Sequence, residues 1–331
     1  MPTITYREAI RQALREMLKD PAVFLMGEDI GAYGGAFAVT KGFQDEFGAE
    51  RVRDTPISES VIVGAGIGAV MAGTRPIVEI MTINFTLCAF DMIVNHAAKI
   101  HAMSGGHVAI PLIMRTVTGS GRQLGAQHSQ NIEGHYAMVP GLKVVAPATP
   151  ADAKGMLLAA YDDRNPVFFA EHFDLYNMKG EVPEAPVRVP LGVAAVPCEG
   201  RDITLIAYSR MVQVCLQAAD LLATQGIEAE VIDLRSLRPL DMETMQRSIR
   251  KTHRAVMVEE AGKGTSIGGG IIAELQESLF HDLEQSIGWV AGAPVPMPYN
   301  RTLERLAIPS REVIANAAAE LMPPERRRKA A

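Results

Sequence analysis

Short apolar runs alternate with stretches of helical period along almost the whole chain, and that alternation constrains the fold more than any other feature. Residues 23–26, 76–81, 111–115, 143–146 and 167–170 read as strands. Between them, residues 59–72, 89–103, 132–139 and 151–161 have the length and spacing of helices. Apolar strands separated by helices of this length predict α/β architecture, with a parallel sheet covered on both faces. The first helix opens at a capping box, Thr5 with Glu8, and then Ile10, Ala13, Leu14, Met17 and Leu18 recur on one face. Residues 179–191 carry Pro183, Pro186 and Pro190 without any period, the mark of a linker. Beyond it the alternation resumes, with strands at 203–208, 229–234, 255–259 and 287–291 and helices at 212–224, 241–250 and 270–280. The expected organisation is an α/β domain over 1–178, a linker over 179–191 and a second, smaller α/β domain over 192–331.

The length, 331 residues, has room for about two domains with sizeable cores. A net charge of −6 gives no electrostatic footprint for nucleic acid or an anionic membrane. The basic cluster at 326–329 reads as a solvated tail. Cys88, Cys198 and Cys215 are odd in number and far apart, so they fit neither a disulfide framework nor zinc-ligand spacing. That usage points to a reducing, cytoplasmic location. The longest apolar stretch, 61–73, is too short to span a bilayer, and no targeting segment is read ahead of Thr5.

The segment Asp54-Thr55-Pro56-Ile57-Ser58-Glu59-Ser60 runs straight into an apolar, glycine-rich helix. It sets one carboxylate, Glu59, at the mouth of an otherwise apolar wall. Such a carboxyl can share a proton with a bound base. A first-turn glutamate also simply partners the helix dipole, with Ser58 as the N-cap. The run Gly64-Ala65-Gly66-Ile67-Gly68 admits a nicotinamide-binding dehydrogenase of Rossmann type, with Glu79 as a loose acidic partner. A polar loop leads into it where that fingerprint wants a buried strand, so close helix packing fits better. The second glycine-rich stretch, 262–270, lacks a phosphate-loop ending. His128, in Gln127-His128-Ser129-Gln130, could move protons near neutral pH or be an exposed loop residue. Phe85, in a strand-to-helix turn, could wall a pocket or fill core. Asp163-Arg164-Asn165-Pro166 follows a helix end, whose free carbonyls suit a monovalent cation or an ordinary stop turn.

Taken together, these residues resemble one family from Ile4 to Met322. The chain is similar to the β subunit of the thiamine-diphosphate-dependent first component of 2-oxo acid dehydrogenase complexes, nearest to the pyruvate dehydrogenase branch of bacteria and plastids. The resemblance rests on Met26-Gly27-Glu28-Asp29, Asp54-Thr55-Pro56-Ile57-Ser58-Glu59, Gln127-His128-Ser129-Gln130 and Pro140-Gly141-Leu142-Lys143-Val144-Val145. In the second half it rests on Asp233-Leu234-Arg235, Arg238-Pro239-Leu240-Asp241 and Pro296-Met297-Pro298-Tyr299. It implies a pyrimidine-binding domain followed by a transketolase-like C-terminal domain. It further implies an α2β2 heterotetramer that shares thiamine diphosphate between chains, decarboxylates pyruvate and passes the acetyl group to the lipoyl domain of a dihydrolipoyl acyltransferase. The acyltransferase's small subunit-binding domain is expected to dock on the C-terminal domain.

By the same resemblance Glu59 hydrogen-bonds the aminopyrimidine ring, Phe85 packs on that ring and Glu28 joins a proton relay. His128 lines the lipoyl entry path. Potassium is implied at Leu112, Ala160, Tyr161, Asp163 and Asn165. No Gly-Asp-Gly occurs in the chain, so magnesium and the diphosphate are expected on the α subunit. An acetoin or branched-chain 2-oxo acid dehydrogenase β subunit is the alternative within the family, the NAD-binding Rossmann dehydrogenase is the alternative from a different class, and a non-catalytic scaffold subunit bridging the α subunit and the acyltransferase is a third reading.

Overall fold

The computed structural model describes residues 1–264 and 266–323; the basic cluster at 326–329 lies outside them. The described chain divides into two units, Met1–Gly119 with His135–Leu191, and Ser120–Gly134 with Gly192 onward.

The first unit carries β1 (Thr3–Thr5), β2 (Val23–Gly27), β3 (Val52–Asp54), β4 (Arg75–Ile80), β5 (Ile113–Thr118), β6 (Lys143–Val145), β7 (Val167–His172) and β8 (Lys179–Glu181). Within this unit the sheet runs β6-β7-β5-β4-β2-β3, every pairing parallel. β2, β5 and β7 are buried along their whole length, as the apolar runs require. The helices Tyr6–Met17 and Pro150–Asp162 cover one region of this core, with Ile10, Leu14, Met156 and Leu157 fully buried. Thr5 caps the first of them by accepting the Glu8 N–H at 3.1 Å, while the Glu8 carboxylate turns to Arg11 and Arg15.

Two expectations change here. The start of the segment read as an aperiodic linker is β8, which pairs antiparallel with β1. Three residues are too few to show a period. The single helix expected over 89–103 is a 3₁₀ helix (Ile83–Ala89), a π-type turn (Met92–Ala97) and a short α-helix (Ile100–Met103). Tertiary packing decides this: a Cβ on Gly141 would lie 2.0 Å from the Ala98 carbonyl oxygen, so another backbone passes where a regular helix would continue.

The second unit carries β9 (Ala195–Cys198), β10 (Ile203–Ala207), β11 (Ala229–Asp233), β12 (Ser236–Arg238), β13 (Ala255–Gly262) and β14 (Gly288–Gly292). Its sheet runs β14-β13-β10-β11-β9, parallel except for the edge strand β9. The helices Arg210–Ala223, Met242–Thr252, Gly268–Ser278, Arg301–Ala307 and Arg311–Glu320 follow its strands or close the chain. The last two carry no strong period in the sequence. Among the described residues no helix is long and apolar enough to cross a membrane.

Candidate active site

Parallel strands leave their carboxyl ends free, and ligands of open α/β sheets bind there. In the first unit those ends present Glu28 after β2, Glu59 after β3 and Phe85 after β4. Gly27 ends β2 because nothing larger fits: its Cβ would lie 2.6 Å from the Glu79 carbonyl oxygen on β4. The next residue, Glu28, is half-buried. Glu59 opens the helix Glu59–Met71 and is only 8 % exposed, a buried carboxylate in the favourable first turn. Ser58 occupies the N-cap position but makes no side-chain capping bond. Burial pushes the Glu28 carboxyl above its ordinary value, and the charges of Asp29 and Glu59 push it further. The charge of Glu59 thus disfavours ionisation of Glu28.

Phe85 is held half-buried by its own turn. Its N–H donates to the Thr82 carbonyl at 3.1 Å, and the Thr86 hydroxyl donates to the Ile83 carbonyl at 2.5 Å. The Tyr136 hydroxyl, pushed up to about 12 by burial, donates to Thr86 at 2.5 Å, while its ring stacks on Phe168 at 4.3 Å. This end of the turn is rigid, and an aromatic ring presented from it is pre-oriented.

The run 64–68 lies inside the helix, beyond its first turn, so no strand leads into a glycine turn there and the dinucleotide reading falls. Gly64 and Gly66 serve packing against side chains, while Gly68 meets nothing within 4 Å. A Cβ on Gly66 would lie 2.8 Å from Val78 Cγ1 and 3.1 Å from Leu112 Cδ1. Glu79, the loose acidic partner, instead pairs with Arg115 at 2.5 Å, and Arg115 pairs with Glu171 at 2.7 Å. Burial raises the Glu171 carboxyl despite Arg115 and the hydroxyl of Tyr176, which donates to it at 2.7 Å. The sequence shows this network only as charged residues in otherwise apolar strands.

His128 belongs to the second unit, exposed on the 3₁₀ turn Ala126–His128. Two buried carboxylates, absent from the sequence reading, tether that loop. Glu260 accepts the Ser120 N–H at 2.7 Å, and Glu304 accepts the N–H groups of Gly121 and Gln123 at 2.8 and 3.0 Å. A cavity of about 410 Å³ lies beside it, lined among others by Ser120, Ser129, Gln130, Gly262 and Met297.

The five residues expected at a cation cluster in the first unit, around the end of the helix Pro150–Asp162 and the start of β5. The Leu112 carbonyl accepts the Val167 N–H at 2.9 Å and the Ala160 carbonyl accepts that of Asp163 at 3.3 Å. Arg75 donates to the Tyr161 carbonyl and stacks on its ring at 4.1 Å, and Lys143 pairs with the Asp163 carboxylate. Burial raises the Asp163 carboxyl, but Lys143 and Asn165 outweigh it and hold it below the usual range. Asn165 fixes the turn through bonds of 2.9 and 2.8 Å to that carboxylate. The donors are oxygens, mostly carbonyls with two lone pairs each, and the one carboxylate already has a protein cation. Such a set fits a weakly charged ion better than a divalent one. Among the described residues no group of three or more His, Cys, Asp or Glu could hold a metal ion.

Residues 2–179 match the family described as transketolase, pyrimidine binding domain, and residues 192–314 match transketolase, C-terminal domain. A solved structure described as a split-gene transketolase, inactive β4 tetramer, superposes with a TM-score of 0.78 over 96 % of this chain and 98 % of its own, at 22 % identity. Fold and strand-end carboxyls together define a transketolase-like, two-domain α/β protein. Among curated proteins, the mitochondrial pyruvate dehydrogenase E1 component subunit beta-2 of Oryza sativa subsp. japonica is 47 % identical over 320 residues, covering 95 % of this chain and 85 % of the relative. The pyruvate dehydrogenase E1 component subunit beta of Rickettsia felis is 44 % identical, covering 96 % and 98 %. That of Chaetosphaeridium globosum is 44 % identical, covering 97 % and 99 %. The chain belongs to the family of pyruvate dehydrogenase E1 β subunits.

Proposed function

We propose that this chain is the β subunit of an α2β2 pyruvate dehydrogenase first component, working in the cytoplasm and handing acetyl groups to the lipoyl domain of a dihydrolipoyl acyltransferase. The observation that carries the reading is the buried carboxyl of Glu59 beside the raised carboxyl of Glu28, in a chain similar to such subunits over nearly its whole length. Bound thiamine diphosphate would supply the electron sink that decarboxylation of a 2-oxo acid requires. Glu59 holds the proton at N1′ of the aminopyrimidine, Glu28 supplies or takes up the compensating proton, and Phe85 orients the ring. His128 would donate a proton to the lipoyl sulfur. Potassium at Leu112, Ala160, Tyr161, Asp163 and Asn165 would stiffen the helix end. Magnesium and the diphosphate belong to the α subunit, and the acyltransferase's subunit-binding domain docks on the C-terminal domain. The three free cysteines suit a reducing compartment.

The test is carbon dioxide release from pyruvate, with thiamine diphosphate and magnesium, by this chain with and without its cognate α subunit. Activity is expected only with both, and Glu59→Gln should lower kcat by about 10²–10⁴-fold. Silence with pyruvate in an assembled complex that cleaves acetoin or a branched 2-oxo acid would move the substrate within the family. Retained activity in Glu59→Gln would reduce the chain to a scaffold.

A further inference from the structure

We propose that Asp54 is a positioning residue for the carboxyl pair, clamping the loop that carries Glu28 onto the segment that leads into Glu59. The inference rests on the reading of Glu28 and Glu59 as proton-handling groups. Gly27, at the end of β2, lies in register with Asp54, at the end of β3. From there the chain turns through Asp29 in the left-handed region (φ 54°) and closes on itself, the Gly35 N–H donating to the Asp29 carbonyl at 2.8 Å. At the tip of this loop the Asp54 carboxylate takes two successive amides: Gly31 N–H donates to Oδ1 at 2.5 Å and Ala32 N–H to Oδ2 at 3.0 Å. At its base the Thr55 N–H donates to the Gly27 carbonyl at 3.1 Å. The backbone on both sides of Glu28 is thus tied to Asp54 and Thr55, on the way to Glu59.

At the tip, Gly31 leaves no room for a side chain. A Cβ on Gly31 would lie 2.7 Å from Asp54 Oδ2 and 2.4 Å from Gln44 Nε2, and the Gln44 amide is itself fixed by donating to the Val52 carbonyl at 3.1 Å. Farther along the loop, Phe37 stacks on Tyr176 at 5.4 Å, so its far end rests on the core. Among the described residues the tip has no other hydrogen bond to β3, so without the clamp the loop that carries Glu28 is anchored at its base alone. A carboxylate accepting two backbone amides makes charge-assisted bonds that an alanine cannot replace.

Two measurements on the full chain test this without cofactor or turnover. In Asp54→Ala the Gly31 and Ala32 amides should exchange hydrogen about tenfold or more faster than in the parent, with the core amides unchanged. In a site-resolved ¹³C carboxyl titration, Glu59→Gln should lower the Glu28 midpoint in the parent and leave it unmoved in Asp54→Ala. A folded Asp54→Ala chain in which Glu28 still responds to Glu59 overturns the proposal. Should Asp54→Ala fail to fold, Asp54→Asn, which keeps one acceptor oxygen, is read instead and should show a reduced response. Gly31→Ala, which pushes the loop off the intact carboxylate, should reproduce the alanine variant. Because neither readout involves pyruvate, a negative turnover assay leaves this result interpretable, and the reverse.

Discussion

Glu28 is held against its own ionisation by burial first, and then by Asp29 and Glu59. A carboxyl whose folded pKa lies above its unfolded value binds more protons folded than unfolded, between those two values. Stability then falls as pH rises through that window, from the ordinary glutamate value upward. Above it the folded chain carries a charge that the unfolded chain solvates better. Glu28→Gln removes that penalty, so its thermal midpoint should exceed the parent's at pH 7.5 and merge with it near pH 4. Equal midpoints at both pH values would mean that Glu28 is not raised. Such a residue is retained at a cost in stability, which is what a proton-handling group in a strand-end pocket should show.

The helix Glu59–Met71 shows what an element can and cannot disclose in its sequence. Its existence was legible from length and apolar content, and so was the placing of Glu59 in the first turn. Which glycine matters was not. Gly66 faces Val78 at a distance no Cβ tolerates and Leu112 at a tight one, whereas Gly68 meets nothing within 4 Å. Gly66→Val should therefore destabilise the isolated chain by about 1–3 kcal/mol through overpacking, and Gly68→Ala should stabilise it by about 0.5–1 kcal/mol through helix propensity. Urea melts of the two variants check both signs, and a neutral Gly66→Val would show that the contact relaxes. The strands β2, β5, β7, β10 and β11 were legible for the same reason as this helix: each is buried along its whole length and reads as an apolar run. β1, β3, β8 and β12 were not, since each is three residues long and mostly polar, and β9 is an edge strand with only partial burial. Arg115, Glu171, Glu260 and Glu304 also escaped, because a buried charge announces itself only through its partner, and the partners, Tyr176 of Glu171 apart, lie 36 to 183 positions away. Asp54 stood inside the motif but carried no mark separating it from an ordinary strand-end residue.

At the scale of the whole molecule the chain has half the equipment its family's cofactor needs. The strand ends of the first unit supply carboxyls and an aromatic ring, which suit a pyrimidine. Among the described residues no cluster suits a magnesium diphosphate. Gly-Asp-Gly is absent. The amides of the run 64–68 lie within a helix and are not free to cradle an anion. Around Gly262 and Gly264 the second unit carries Lys263, but not the glycine–lysine–serine/threonine ending of a phosphate loop. The charged end of the cofactor carries most of its capacity for charge-assisted bonding, so a chain that contacts only the pyrimidine should hold it weakly. Calorimetric titration of the purified chain with thiamine diphosphate should accordingly show a Kd no tighter than about 1 mM, unchanged by magnesium. Adding the α subunit should produce saturable, magnesium-dependent binding. Magnesium-dependent binding by this chain alone would place the diphosphate site here after all and dissolve the division of labour between subunits.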